Sequence, residues 1–201
     1  MAIAYLDKVN VNPEAFRKKL EAVSANLGIH PSWLMIAIWI ESRLNRKAVN
    51  ASSGAVGLIQ WLPSYVYKLL GLPNVKWLVQ QRIKNMSGVE QLDLIQKFLM
   101  PYRGRMTDQY QTYLAIFSPA ALGKPESYLI AAKDVPGKRQ AYEWNQYLDT
   151  KFGNKDGKIT LFDIKKFVDA HTPAGTDLKS VNHHKTTYHH AEICRCCGRP
   201  I

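Results

Sequence analysis

Eight consecutive apolar residues, Trp33 to Ile40, end abruptly at Glu41, and that junction constrains the chain more than any other feature. A run so apolar on every side fits a helix enclosed by a core, not one lying on its surface. It is too short to cross a bilayer, which takes about 20 apolar residues. Pro31 opens it, and proline suits the first turn of a helix. The helix therefore delivers a carboxylate to the place where apolar packing ends, where a charge is costly unless it has a task. Burial raises the pKa of such a group, whereas the cations that follow, Arg43, Arg46 and Lys47, pull it down. Two readings stand for Glu41: a general acid held protonated, or a helix-end acid paired with one of those cations.

Around this segment the sequence predicts a mainly α fold. Asn12 and Pro13 start a helix whose apolar face is Phe16, Leu20, Val23 and Leu27, and Gly28 stops it. Further helices are predicted over about 61–71, 88–100, 106–116 and 138–149. Residues 45–57, rich in Asn, Ser, Ala and Gly, read as a loop or small hairpin. Strand patterns are weak throughout. One helical domain is expected over 1–170. A tail over 171–201 holds five of the six histidines and all three cysteines, too few thiols for a disulfide framework.

Charge narrows the choice of partner. Lys and Arg number 27 against 16 Asp and Glu, a net charge of +11. From Ser42 to Val89 there is no acid, while Arg43, Arg46, Lys47, Lys68, Lys76, Arg82 and Lys84 make that stretch +7. Such a field favours a polyanion: nucleic acid, anionic lipid or bacterial cell wall. The first seven residues show no basic region ahead of an apolar stretch, so no secretory signal is expected.

After Glu41-Ser42 and a polar loop comes Ser53-Gly54-Ala55-Val56-Gly57-Leu58-Ile59-Gln60, then Trp61-Leu62-Pro63. In order and spacing this resembles the catalytic domain of soluble lytic transglycosylases and the related goose-type lysozymes. The resemblance implies a lysozyme-like helical domain, with a small Gly-rich loop beside the site, that cleaves the β-1,4 bond between N-acetylmuramic acid and N-acetylglucosamine of peptidoglycan glycan strands. Glu41 would act as acid and then as base, leaving a 1,6-anhydro product with no cofactor. Ser42, Gly54, Gly57 and Gln60 would bind substrate, the glycines by letting backbone approach a sugar ring and Gln60 through its amide. The acid-free stretch after Glu41 agrees with a single-carboxyl route, since ordinary glycosidases use two carboxyl groups roughly 5–10 Å apart. Glu90, Asp93 or Asp108 could fold back, which leaves lysozyme-type hydrolysis open.

The family's later Ala-Tyr-Asn-Ala-Gly segment is altered. Here Tyr113-Leu114-Ala115-Ile116-Phe117-Ser118-Pro119-Ala120-Ala121-Leu122-Gly123-Lys124 resembles a form found in phage-borne wall hydrolases. Ile116 and Phe117 replace the Tyr-Asn pair, and Tyr110 or Tyr113 is the candidate for the hydroxyl that would bond Glu41. A virion or host-lysis setting, with virion proteins as partners, is what this likeness implies. Among Trp61, Tyr65, Tyr67 and Trp77, one or two are expected on a glycan groove and the rest in the core.

Two more motifs concern metals. Residues 152–163 resemble an EF-hand calcium loop, with Asn154 and Asp156 as ligands three and five, Gly157 at the turn and Asp163 at position twelve. Phe152 stands where the first Asp belongs, so weak calcium binding competes with an Asp-Gly turn and a Thr160-capped helix. In the tail, Cys194 and Cys197 have zinc-knuckle spacing, and His189 and His190 could complete a structural zinc set, against a metal-free tail. Beside the enzyme stand two other functions: a non-catalytic wall-binding or virion protein of the same fold, and a basic nucleic-acid binder. The last lacks a recognition motif and is disfavoured.

Overall fold

The computed structural model describes residues 2–179. Eight α-helices and one two-stranded sheet make up this part. Helix α1 (Pro13–Leu27) ends at Gly28, whose φ of 72° gives the left-handed stop that a glycine adopts without strain. Phe16, Leu20, Val23 and Leu27 are all buried, which turns the spacing read from sequence into one core-facing stripe. Helix α2 (Pro31–Ser42) runs through the middle of the core, and every residue from Ser32 to Ile38 is buried. His30 caps it by accepting the Ser32 backbone N–H on Nδ1.

Helix α5 (Gly88–Leu99) packs along α1, and α6 (Gln109–Phe117) packs along α2. Each has a defined start. Ser87 and Glu90 form a reciprocal capping box on α5, and Asp108 accepts the Gln111 N–H at 2.7 Å on α6. Between them in sequence lie α3 (Pro63–Val66) and α4 (Lys76–Asn85). The helix expected over 61–71 is thus only one turn long, with the chain leaving through turns to Gly71 at φ 64°. Helix α4 was not expected, because Val79 and Ile83 are its only buried residues and two positions make no legible stripe.

The C-terminal third adds β1 (Leu129–Ala132), α7 (Arg139–Asn145), β2 (Lys158–Thr160) and α8 (Leu161–Ala170). The strands pair antiparallel, Ala131 opposite Ile159, and they are too short for alternation to show in sequence. Helix α8 packs on α6, which brings this third against the core. Packing continues past the boundary expected at 170. The Tyr5 hydroxyl donates to the His171 carbonyl at 2.6 Å, and Leu178 rests on the core. Among the described residues no single helix is long and apolar enough to cross a membrane.

The loop after α2 is held by one side chain. Gln91 on α5 is fully buried; its Oε1 accepts the Leu58 N–H at 2.9 Å, and its Nε2 donates to the Arg46 and Ile83 carbonyls at 2.8 and 3.0 Å. All three partners are backbone groups; loss of the amide strands the Leu58 N–H and the Arg46 carbonyl, while the Ile83 carbonyl keeps the Met86 N–H at 3.0 Å. Gln91→Leu is expected to cost about 2–6 kcal/mol, since each of the two stranded groups costs about 1–3 kcal/mol. Urea unfolding measures this, and a loss below about 1 kcal/mol would remove Gln91 as the anchor.

Candidate active site

Glu41 occupies the last turn of α2, half-buried like Trp39 and Ile40, after the buried run Ser32 to Ile38 and before the exposed Arg43. The helix-end pairing does not form. Arg43 lies over the Trp39 ring, 5.1 Å from its centroid, and donates to the Trp39 carbonyl at 2.9 Å. Arg46 is turned away to the Lys84 and Met86 carbonyls, both at 2.9 Å. Among the described residues Glu41 has no ion pair.

Without a cation, burial decides the protonation of Glu41. It pushes the carboxyl up to about 7, while a hydrogen bond from Tyr113 pulls the other way. Tyr113 sits on α6 and is almost wholly buried. Its own pKa is driven well above the usual value by burial and by the Glu41 charge, so its hydroxyl stays a donor. Tyr113 is thus both part of the core and the phenol that acts on Glu41. Tyr110 is not at this site: it donates to Asp169 at 2.6 Å, linking α6 to α8.

A second phenol lies within reach of the same carboxyl's charge and was missed in the sequence. Tyr147, 41% exposed, has its pKa raised by burial and then by the charge of Glu41. It belongs to the C-terminal third and is held through Phe167 of α8. The Tyr147–Phe167 and Tyr113–Phe167 ring centroids lie 5.7 and 5.9 Å apart. Nothing in the sequence distinguished Tyr147 from its aromatic neighbours. Among the described residues no second carboxylate acts on Glu41.

The loop residues take roles other than those expected. Gly54 and Gly57 are buried in protein. At Gly57, with φ 85°, a Cβ would stand 2.8 Å from Ile83 Cγ2 and 2.9 Å from Gln91 Oε1. At Gly54 a Cβ would collide with the Lys76 side chain. These glycines make room for protein neighbours. Gln60 Nε2 donates to the Gly57 and Ala48 carbonyls at 3.0 and 3.4 Å, tying its amide nitrogen to the loop. Ser42 is buried and donates to the Ile38 carbonyl. Both act on the fold around Glu41. Trp61 is core, while Tyr65 and Trp77 are exposed.

A cavity of about 340 Å³ opens two residues beyond Glu41. It is lined by Lys8, Arg43, Arg46 and Lys47 together with apolar residues, and by no acid. Glu41 does not line it. It gathers part of the positive charge read from the sequence into one place and suits an anion, not bond cleavage.

In the calcium-like loop, Asn154 and Asp156 each accept a backbone N–H two residues on, at 3.3 and 2.9 Å. Asp163 Oδ2 caps α8 from the Thr160 N–H and hydroxyl at 2.7 and 2.8 Å. Among the described residues no group of three or more His, Cys, Asp or Glu is gathered so as to hold an ion. The zinc ligands read in the tail, Cys194, Cys197, His189 and His190, lie outside the described residues.

Residues 19–75 match the family model described as Transglycosylase SLT domain. The match begins inside α1, carries α2 with Glu41, and ends just before α4. The SLT segment is thus the helix, carboxyl and glycine loop from which the family resemblance was read. Tyr113 and Tyr147 lie beyond it. No curated protein matches the chain.

Glu41 in the SLT segment also carries a stability signature. Its folded pKa lies above the ordinary carboxyl value of 4.5, so the folded state binds the proton more tightly than the unfolded chain. Stability from this group is complete below about 4.5 and is lost as pH rises to about 7. Glu41→Gln is expected to exceed the wild type in stability at pH 8 by about 1–3 kcal/mol, allowing for the carboxyl's contact with water, and to match it at pH 4. Denaturant midpoints at the two pH values read this directly. An equal difference at both would mean that Glu41 is not desolvated.

Proposed function

We propose that the chain cleaves the β-1,4 bond between N-acetylmuramic acid and N-acetylglucosamine in peptidoglycan, with Glu41 as the only carboxyl in the reaction. The observation that carries the reading is the pairing of Glu41, pushed up to about 7, with a buried phenol and, among the described residues, no second acid acting on it. The match of the SLT segment points to the lytic transglycosylase family and so to peptidoglycan.

The chemistry follows from that pairing. A carboxyl that titrates near neutrality populates both of its forms, which is what one group needs to donate and then take a proton. Protonated Glu41 gives its proton to the glycosidic oxygen as the C1–O bond breaks. The carboxylate then removes the proton of the muramic acid 6-hydroxyl, whose oxygen attacks C1 and closes the 1,6-anhydro ring. The proton returns to Glu41, so the cycle needs neither water nor a second acid. Tyr113 steadies the carboxylate formed between the two steps, because its hydrogen bond favours the charged form. Ordinary retaining and inverting hydrolysis both need a second carboxyl, and none acts on Glu41 among the described residues.

The setting is part of the proposal. Likeness of the 113–124 segment to phage-borne wall hydrolases supports a virion or host-lysis role, and the basic cavity beside Glu41 suits an anionic wall.

Two variants test the assignment. Glu41→Gln is expected to lower turnover of purified peptidoglycan by about 10²–10⁴-fold or more, seen as loss of clearing on a zymogram. Clearing at the wild-type level would overturn the assignment. Tyr113→Phe removes the bond that lowers the Glu41 pKa. The activity limb that falls as Glu41 loses its proton should therefore move to higher pH, with a drop in kcat of about tenfold. A limb that stays in place, or moves to lower pH, would remove Tyr113 as the partner.

A further inference from the structure

Asp149 was not among the residues read for the calcium-like loop, yet it is the carboxylate around which that loop is built. It is 1% exposed. Its Oδ1 accepts the Asp156 N–H at 3.1 Å, and its Oδ2 accepts the Gly157 N–H at 3.0 Å and the Tyr142 hydroxyl at 2.8 Å. The backbone groups it receives are those of the fifth and sixth loop positions, as numbered from the motif.

The sequence placed the first position at Phe152 by counting back, and the chain departs from that count. One residue separates positions one and three in a regular loop; here four, Thr150 to Gly153, separate Asp149 from Asn154. A π-helical turn over Leu148–Phe152 takes up the surplus, a feature often found at functional sites.

A separate observation points to a ligand. Asp163 is 1% exposed, and its Oδ1 is buried with no hydrogen-bond partner, although Oδ2 is fully used at the start of α8. Stranded carboxylate oxygens are costly. This one points at Gly153: a Cβ there would overlap Asp163 Oδ1 and lie 3.0 Å from the Asp149 Cα. The orphan oxygen therefore lies against the loop at Gly153, close to Asp149, an approach that only a glycine permits.

We propose that this loop binds one calcium ion, with Asp149 as the displaced first ligand, Asp163 Oδ1 as the closing ligand, and Asn154 and Asp156 supplying oxygens between them. Calcium accepts such a mixture of carboxylate and amide oxygens in a flexible shell. The acids are not yet gathered around a point, so binding draws the loop inward. That cost, together with Lys151, Lys155 and Lys158 on the same loop, puts the affinity in the weak class of about 10⁻⁴–10⁻³ M. The site is independent of catalysis at Glu41. Its bearing is structural: Tyr147 precedes Asp149 by two residues, and α8 carries Phe167, so the ion ties together two pieces whose rings pack on each other, with Phe167 in turn against Tyr113.

The test uses the whole chain. At about 10 mM calcium, an ion of this affinity class stabilises the fold by about 10–100-fold in its equilibrium constant. For a chain of this size the melting temperature should rise by about 3–10 °C. Magnesium at equal ionic strength should not reproduce the rise. Terbium should show emission sensitised by Tyr142, whose hydroxyl touches Asp149, and calcium should displace it. Asp163→Asn keeps a cap acceptor for α8 but removes the charge, and should abolish the calcium-dependent rise. The proposal is overturned by a wild type that gains nothing from calcium, by an equal gain with magnesium, or by terbium emission that calcium does not compete. A rise that persists in Asp163→Asn also overturns it. The wild-type ion measurements decide the matter even if that variant does not fold.

Discussion

The hydrogen bond from Tyr113 to Glu41 is where the packing of this protein meets its chemistry. Burial pushes the carboxyl up and the phenol opposes it, which leaves it at about 7. A cation at the site would pull the carboxyl down further, and among the described residues none pairs with it. Arg43 is occupied by the Trp39 ring and carbonyl, and Arg46 by two carbonyls at the end of α4. The position of Glu41 in the last turn of an enclosed helix is thus protected by the way its basic neighbours are used.

Three separate stretches of chain have to meet for that arrangement. Helix α2 brings Glu41, α6 brings Tyr113, and the C-terminal third brings Tyr147 and Phe167. The glycine loop, which in sequence looks like the binding surface, works inward: Gly57 admits Ile83 and Gln91, and Gln91 fixes the loop backbone. A residue type chosen for close approach does not reveal what approaches. Here it is the protein itself.

Much of this was legible beforehand, and the reasons are physical. Helices α1 and α2 announced themselves through Pro13, Gly28, Pro31 and the apolar spacing between, because caps and stripes are local signals. Glu41 stood out because a carboxylate after eight apolar residues is improbable without a purpose. What escaped depends on distant contacts. Helix α4 buries too few residues to show a period, and Tyr147 gains its meaning only from the docking of α8 on α6. Asp149 was hidden by an irregularity in the backbone: it sits in a π-helical turn, three residues before the place that motif spacing marks as first. Fixed-spacing motifs fail at such insertions, even where the hydrogen-bonding pattern survives.

The central claim is that one carboxyl serves as acid and then base, and the product records it. Mass spectrometry of fragments released from purified peptidoglycan by the wild-type chain is the most direct measurement. The account predicts muramic acid ends that are 1,6-anhydro, lighter by one water than reducing ends. Fragments that end in ordinary reducing muramic acid would contradict it, because water would then have attacked C1 with the help of a group other than Glu41.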